Sequence, residues 1–107
     1  MPRTSKSQNT TDKLPPLHPG EILKEILEDL GLSMNRLAQD IRVPANRISA
    51  IAAGTRSVTG ETALRLARYF GTTPQYWINL QARYDLESAV DEWETRIVRE
   101  VRPRNAA

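Results

Sequence analysis

The sequence predicts an all-α protein built from five helices. In five segments, apolar residues recur at intervals of three and four, which places them on one face of a helix. Residues that begin or end helices separate these segments, namely Pro19, Gly31, Pro44, Gly54, Gly71 and Pro74. The connections between the segments are so short that they leave almost no room for a β-sheet.

The first predicted helix begins at the segment His18-Pro19-Gly20-Glu21. Proline suits the first turn of a helix, and the Glu21 carboxylate complements the positive end of the helix dipole. The apolar face of this helix consists of Ile22, Leu23, Ile26, Leu27 and Leu30. The chain's one histidine, His18, has no second histidine and no cysteine with which to share a metal ion. We therefore expect it to have a structural or capping role.

Residues 33–54 predict two short helices joined by a tight turn. Ser33 is the expected N-cap of the first, which carries a narrow apolar stripe at Leu37, Ala38 and Ile41. The turn is Arg42-Val43-Pro44, since proline disfavours helix at the preceding residue and suits the start of a new one. The second helix repeats the stripe at Ile48, Ile51 and Ala52. This arrangement is typical of a helix-turn-helix.

Two further helices follow the central pair. Thr59 is expected to cap the fourth, whose apolar side consists of Ala63, Leu64, Leu66, Ala67 and Phe70. Thr73 and Pro74 begin the fifth helix in the same way. That helix carries large side chains at positions i, i+3 and i+7, which are Trp77, Leu80 and Tyr84. Such a stripe is typical of a core or of a dimer interface.

The C-terminal segment is compatible with two structures. Helical spacing relates Val90, Trp93, Ile97 and Val101, whereas Ile97, Arg99 and Val101 also fit one side of a short strand. We expect the helix to continue over 90–102. An apolar stripe on a terminal segment needs a covering surface, from the domain itself, a dimer mate or another protein. The candidate interface residues are Trp77, Leu80, Tyr84, Trp93 and Ile97.

Composition divides the chain into three parts. Residues 1–13 are polar and bury little apolar surface, so we expect a disordered arm. A helix-turn-helix domain is expected over 14–89 and a C-terminal extension over 90–107. The chain has no cysteine, which excludes disulfides and thiolate metal sites, and no apolar run of the roughly 18 residues that a membrane helix needs. We therefore expect a cytoplasmic protein with no membrane association.

Charge is unevenly distributed, although the net charge of the chain is only +2. Between residues 33 and 56, one acidic residue, Asp40, is outnumbered by Arg36, Arg42, Arg47 and Arg56. Between residues 18 and 31, one basic residue, Lys24, is outnumbered by Glu21, Glu25, Glu28 and Asp29. A basic segment beside an acidic one suggests that one face meets phosphate while another faces away. Charge alone is equally compatible with ordinary solvated helix faces.

The residue patterns that catalysis needs are missing from the sequence. No nucleophile is paired with a base, and there is no glycine-rich phosphate loop and no metal-ligand spacing. The acidic residues of the first helix lie on its outer face, where a solvated surface is a better interpretation than an acid–base pair. We therefore expect neither an enzyme nor a cofactor or metal site, and the remaining function is recognition of double-stranded DNA.

The second helix of the central pair provides the candidates for base contacts. A recognition helix enters the major groove, and its N-terminal residues meet the base edges. The outward positions are expected to be Ala45, Asn46, Arg47, Ser49 and Ala50. Phosphate contacts, which fix the register of a protein on the duplex, are expected at Ser33, Asn35, Arg36, Thr55 and Arg56. The alternative is that these are ordinary exposed residues of a small helical domain.

Several short segments between about Leu17 and Ala89 occur together in a combination that is specific to one protein family. They include the segments His18-Pro19-Gly20-Glu21, Thr62-Ala63-Leu64-Arg65-Leu66-Ala67 and Trp77-Ile78-Asn79-Leu80-Gln81. With them the chain resembles the HigA-type antitoxins, a branch of the Cro/C1-type (XRE) helix-turn-helix regulators. The resemblance implies a five-helix, lambda-repressor-like domain and a homodimer that represses its own promoter through a palindromic operator. It also implies a HigB-like toxin partner that cleaves translated mRNA and is neutralised by binding.

Two residues depart from the pattern of that family. Many of these regulators have glycine where this chain has Arg42, and glutamine where it has Met34. A left-handed conformation at a non-glycine turn residue costs about 1 kcal/mol. These departures keep open the alternative of a protein-interaction module that has lost DNA binding. A stand-alone repressor of the same fold without a toxin partner is a second alternative.

Overall fold

Five α-helices make up the part of the chain that the computed structural model describes, residues 14–105. They are α1 (Pro19–Leu30), α2 (Met34–Ile41), α3 (Ala45–Ala52), α4 (Gly60–Phe70) and α5 (Pro74–Glu100). No strand occurs within the described residues, so the predicted all-α class is confirmed. The expected arm, residues 1–13, lies outside the described part of the chain.

Side chains cap the helices at the predicted starts. The Ser33 hydroxyl accepts a hydrogen bond from the Arg36 amide at 3.0 Å, and the Thr73 hydroxyl accepts one from the Tyr76 amide at 3.2 Å. His18 caps α1, because its Nδ1 accepts a hydrogen bond from the Gly20 amide at 2.9 Å. The expected capping role of this histidine is therefore confirmed.

The turn between α2 and α3 depends on a left-handed arginine. Arg42 has φ 62° and is the one non-glycine residue with positive φ among residues 14–105. Its conformation directs the Val43 amide to the Ala38 carbonyl at 3.0 Å, which closes the end of α2. Pro44 precedes α3 as its N-cap residue and does not lie within the first turn. The positive φ of Arg42 confirms the left-handed conformation that a non-glycine residue is expected to need in this turn.

The core lies between the packed helices, with α2 against α3 and α4, α1 against α3 and α5, and α4 against α5. Its largest fully buried side chains include Trp77, Leu23, Leu37, Ile48, Ile51 and Leu66. The axes of α1 and α3 approach closely at Gly20, where an added Cβ would lie 1.9 Å from the Ile51 carbonyl oxygen. Gly20 therefore sets the distance between the first helix and the helix-turn-helix.

The prediction that Leu30 and Leu64 lie on the apolar faces of α1 and α4 is wrong. Both side chains are 61% exposed. The buried side of α1 ends one turn earlier, at Leu27, and the buried side of α4 runs through Ala63, Leu66 and Ala67. Leu64 consequently points away from the core.

The last helix, α5, extends from Pro74 to Glu100 without interruption, so the helical alternative holds for its C-terminal half. Its first part packs on the domain, where Trp77 and Gln81 are buried, whereas every residue from 91 to 105 is exposed. No break in the helix marks the boundary expected between 89 and 90. The division into a domain and an extension stays a prediction. Near this boundary the packing of α5 changes, whereas its backbone does not.

Candidate nucleic-acid interface

The outer face of α3 carries small polar and apolar side chains. Ala45, Asn46 and Ser49 are exposed and Ala50 is half-buried, while the opposite side of the helix is buried in the core. The Ser49 hydroxyl donates a hydrogen bond to the Asn46 carbonyl at 3.2 Å, which holds the serine against its own helix. The face therefore offers an amide and a hydroxyl, with little bulk to prevent close approach to a base edge.

Arg47 does not have the outward position expected from the sequence. Its side chain is only 19% exposed, and its Nη1 atom lies 3.4 Å from the Glu61 Oε1 atom on α4. Its Nε atom is buried and has no hydrogen-bond partner. The physical reason is helical spacing, since Arg47 lies one turn before the buried residue Ile51 and so faces the neighbouring helix.

Glu61 connects three helices through two arginines. Its Oε2 atom lies 3.1 Å from the Arg65 Nε atom, one turn along α4, and the Arg65 Nη1 atom donates a hydrogen bond to the Ile41 carbonyl of α2 at 2.8 Å. The hydrogen bond from Arg65 and the charge of Arg47 lower the pKa of Glu61 below its usual value. The carboxylate is therefore held in its charged form between its two partners.

The expected phosphate-contacting residues form two exposed groups. Ser33, Asn35 and Arg36 lie at the start of α2, and Thr55 and Arg56 lie in the loop after α3. The Thr55 hydroxyl donates to the Ala50 carbonyl at 3.1 Å, so the loop is bonded to the end of α3.

An ion pair orients the guanidinium of Arg36. Its Nε atom donates to the two carboxylate oxygens of Asp40, at 3.0 and 3.2 Å, and the Tyr69 hydroxyl donates to the same carboxylate at 2.5 Å. The bond from Tyr69, followed by that from Arg36, lowers the pKa of Asp40, and the same bond to Asp40 raises the pKa of Tyr69. Both α2 and α4 therefore fix the position of Arg36.

The loop after α3 is held from α5 and from the start of α1. The Gln81 Oε1 atom accepts a hydrogen bond from the Val58 amide at 2.8 Å, and Gln81 Nε2 donates to Asp85 at 2.9 Å. The imidazole of His18 packs edge-on against the Tyr84 ring, with centroids 4.8 Å apart. Burial lowers the pKa of His18, and the charge of Asp85 and interaction with the Arg56 backbone partly oppose this effect.

Sequence reasoning missed four residues that position this surface: Asp40, Glu61, Tyr69 and Gln81. A signal existed for two of them, because Arg36 with Asp40 and Glu61 with Arg65 have the i,i+4 spacing of helical ion pairs. Nothing in the sequence indicates that Tyr69 or Gln81 reaches across to another element.

Trp77 is not available as an interface residue. The side chain is 1% exposed, and its Nε1 atom donates to the Thr72 hydroxyl at 3.0 Å. It begins the stripe of α5 that faces the core, so the interface assignment of Trp77 is wrong. Leu80 and Tyr84 are half-buried in the same stripe. Of the five candidates, Trp93 and Ile97 remain well exposed, at 41% and 49%.

Exposed apolar side chains continue along one side of the projecting half of α5. The apolar stripe consists of the half-buried Val90 and the exposed Leu86, Trp93, Ile97, Val98 and Val101. A groove of about 270 Å³ runs between several of them. Opposite this stripe the helix is polar, with Glu92 and Arg99 exposed. The projecting half of α5 is therefore amphipathic, and its apolar side is uncovered within one chain.

Within 14–105, no three histidine, cysteine or carboxylate side chains come together as a group that could hold a metal ion. None of the five helices combines the length and the apolar character that crossing a membrane requires.

This geometry defines a helix-turn-helix of the DNA-binding kind, in which a short second helix is exposed beside arginine-containing loops. Residues 23–77 match the model of the family described as Helix-turn-helix. Virulence-associated protein I of Dichelobacter nodosus is 47% identical over 79 residues, 73% of either chain.

Solved structures show the same similarity. An addiction module antidote protein of the HigA family from Coxiella burnetii is 49% identical with a TM-score of 0.82, over 84% of this chain and 99% of that one. The Pseudomonas aeruginosa antitoxin HigA, solved with the higBA promoter, is 38% identical with a TM-score of 0.81, over 83% of this chain and 98% of that one. The chain belongs to the helix-turn-helix family of Cro/C1-type DNA-binding regulators, on the branch of the HigA-type antitoxins.

Proposed function

We propose that this protein is the antitoxin and autorepressor of a toxin–antitoxin module. In this function a homodimer binds an operator in its own promoter through α3, and the same protein binds and neutralises a HigB-like, mRNA-cleaving toxin in the cytoplasm. The observation that carries the proposal is the exposed face of α3, where Asn46 and Ser49 stand free of the core beside the arginine-bearing loop. The similarity to an antitoxin solved with promoter DNA supports it.

Two groups of residues have different roles in the proposed complex. Asn46, Ser49, Ala45 and Ala50 meet base edges, because an amide matches adenine and methyl groups match thymine. Ser33, Asn35, Arg36, Thr55 and Arg56 meet phosphates, which sets the register without reading sequence. Variants in the first group should therefore change sequence choice, and variants in the second should change affinity for all DNA.

DNA binding is tested by fluorescence anisotropy, with a duplex from the protein's own promoter and a scrambled duplex of equal composition. We expect Asn46→Ala to weaken binding to the promoter about tenfold and to leave binding to scrambled DNA unchanged. Arg56→Ala should weaken both and reduce the slope of log affinity against log salt by about 0.9. The control is Asn79→Ala, since Asn79 is an exposed asparagine of α5 whose side chain accepts a hydrogen bond from Gln75 on the same helix. Equal binding to both duplexes by the unmodified protein would favour an interaction module that has lost DNA recognition.

The apolar stripe of α5 supports the dimer. A second copy related by a two-fold axis would present the same stripe, and two such stripes cover each other as in other isologous interfaces. The exposed Ile97 and Val98 are central to the stripe. Burying them against a second copy removes an apolar surface that a monomer leaves in water.

Light scattering coupled to size-exclusion chromatography tests the dimer. Val98→Glu places a charge in the stripe and should convert the dimer to a monomer, because an unpaired charge in an apolar interface is costly. Glu92→Lys, on the polar side of the same helix, should leave the dimer intact. A Val98→Glu protein that remains dimeric would place the interface elsewhere.

The toxin partner is tested by co-expression with the product of the neighbouring reading frame. We expect the two proteins to purify together, and the cleavage of translated mRNA by the neighbour's product to stop in the complex. A neighbour without such activity, together with intact promoter binding, would instead indicate a stand-alone repressor.

A further inference from the structure

The position of Glu61 is unusual for a surface that is to meet DNA. The residue lies in the first turn of α4 beside α3, and its side chain is 57% exposed. A free carboxylate there would repel phosphate. Two arginines engage it instead, with Arg47 at 3.4 Å and Arg65 at 3.1 Å. The carboxylate therefore has a defined function in orienting a cation.

Arg47 is the side chain that this arrangement constrains. An arginine pairs with guanine through two neighbouring guanidinium nitrogens. In this structure Nε is buried and Nη1 faces Glu61. Each of the two guanidinium edges that could pair with guanine thus includes a nitrogen that is buried or already engaged.

The constraint extends to the rest of the fold. Glu61 is itself held by Arg65, and Arg65 is bonded to the Ile41 carbonyl at the end of α2. The chain of contacts therefore joins α3 to α4 and α4 to α2. Glu61 is therefore held from α2 through Arg65, and Arg47 is released only when its contact with Glu61 is lost.

We infer that Glu61 is a positioning residue for DNA recognition, which holds Arg47 against α4 and thereby leaves sequence choice to Asn46 and Ser49. In this arrangement Arg47 does not read a base. This inference rests on the proposed DNA-binding function and adds to it a determinant of specificity that lies outside α3.

A double-mutant cycle between Glu61 and Arg47 tests the inference. Glu61→Gln keeps the shape of the side chain and removes its charge, so Arg47 becomes free to reach a phosphate. We expect the affinity for scrambled DNA to rise, the salt slope to steepen by about 0.9, and the preference for promoter over scrambled DNA to fall about tenfold. In an Arg47→Ala background the same substitution should leave the preference and the slope unchanged.

Glu87→Gln is the matched control, because Glu87 pairs with Arg83 at 3.2 Å within α5 and lies outside the helix-turn-helix. It removes the same charge from the same kind of ion pair and should leave the promoter preference unchanged. An equal effect of Glu61→Gln with and without Arg47 would overturn the inference, since bulk charge would then explain it. So would loss of promoter preference in Arg47→Ala alone, since Arg47 would then read a base.

The ion pair is also measured without DNA, which separates this inference from the proposed function. Coupling between Glu61→Gln and Arg47→Ala in the thermal unfolding of the protein reports the contact itself. Additive effects on the unfolding temperature would overturn the positioning role even if the protein binds its promoter. If the two substitutions are clearly coupled in thermal unfolding but the protein binds no DNA, the contact between Glu61 and Arg47 is supported and the proposed function is refuted.

Discussion

Gly20 is the residue at which one methyl group should have the largest effect on this fold. A Cβ at position 20 would lie 1.9 Å from the Ile51 carbonyl oxygen and 2.9 Å from its carbon, whereas ordinary contact begins at 3.4 Å. Both atoms belong to the backbone of α3, so no side-chain rotation relieves the overlap. Alanine at this position therefore requires α1 and α3 to separate.

The magnitude follows from two opposing effects. Alanine in place of glycine within a helix stabilises by about 1 kcal/mol, while overpacking of a core costs up to about 3 kcal/mol. We expect Gly20→Ala to destabilise the protein by about 2 kcal/mol, which for a domain of this size lowers the melting temperature by roughly 8–16 °C. Thermal unfolding followed by circular dichroism measures this change. Promoter affinity should fall as well, since Ile51 lies on the helix that we propose to enter the groove.

Gly60 provides the control for this prediction. It is the first residue of α4, and a Cβ there would meet nothing within 4 Å. Gly60→Ala should therefore be neutral or slightly stabilising. If Gly20→Ala melted at or above the temperature of the unmodified protein, the close approach of α1 and α3 would be refuted, and with it the role of Gly20 in setting their distance.

Three further predictions concern single contacts. Ser33→Ala should cost about 1 kcal/mol through loss of the cap on α2, measured by chemical denaturation, whereas Ser33→Asp should keep that stability and weaken DNA binding by repelling phosphate. Gln81→Leu should cost about 1–3 kcal/mol because the buried Val58 amide loses its acceptor, and Gln81→Glu should lose less. Because burial lowers the pKa of His18, the unfolded chain binds its proton more readily. Stability should therefore be complete above about pH 6.5 and fall as the pH decreases toward the folded pKa, and melts of His18→Asn should lack this component.

The sequence predicts those features of the fold that local chemistry determines. Ser33 and Thr73 cap their helices, and Arg42 adopts the left-handed conformation, because each depends on residues within five positions along the chain. The five helices follow from apolar spacing in the same way. The HigA-type resemblance is also visible in the sequence, because it rests on short segments. The similarity to solved HigA antitoxins confirms it.

Features that depend on residues distant along the chain could not be predicted. Arg47 lies one turn before Ile51, at the edge of the apolar stripe of α3, and only the position of Glu61, 14 residues later, shows that its side chain is engaged by α4. Periodicity placed Trp77 on the inner stripe of α5 but did not separate a core from an interface. The groove that Leu64 helps to line between α2 and α4 likewise requires the packing of two helices.

The fourth helix controls the proposed DNA-binding surface without belonging to it. Arg36 is held by Asp40, and Asp40 is in turn held by Tyr69 of α4. Arg47 is held by Glu61, which α4 also provides. In both cases a carboxylate fixes an arginine beside the central helices, and α4 fixes or supplies the carboxylate. Orienting Arg36 before binding reduces the entropy lost when it meets a phosphate, and holding Arg47 leaves sequence choice to Asn46 and Ser49. A substitution on α4 should therefore alter recognition while leaving every proposed DNA contact in place.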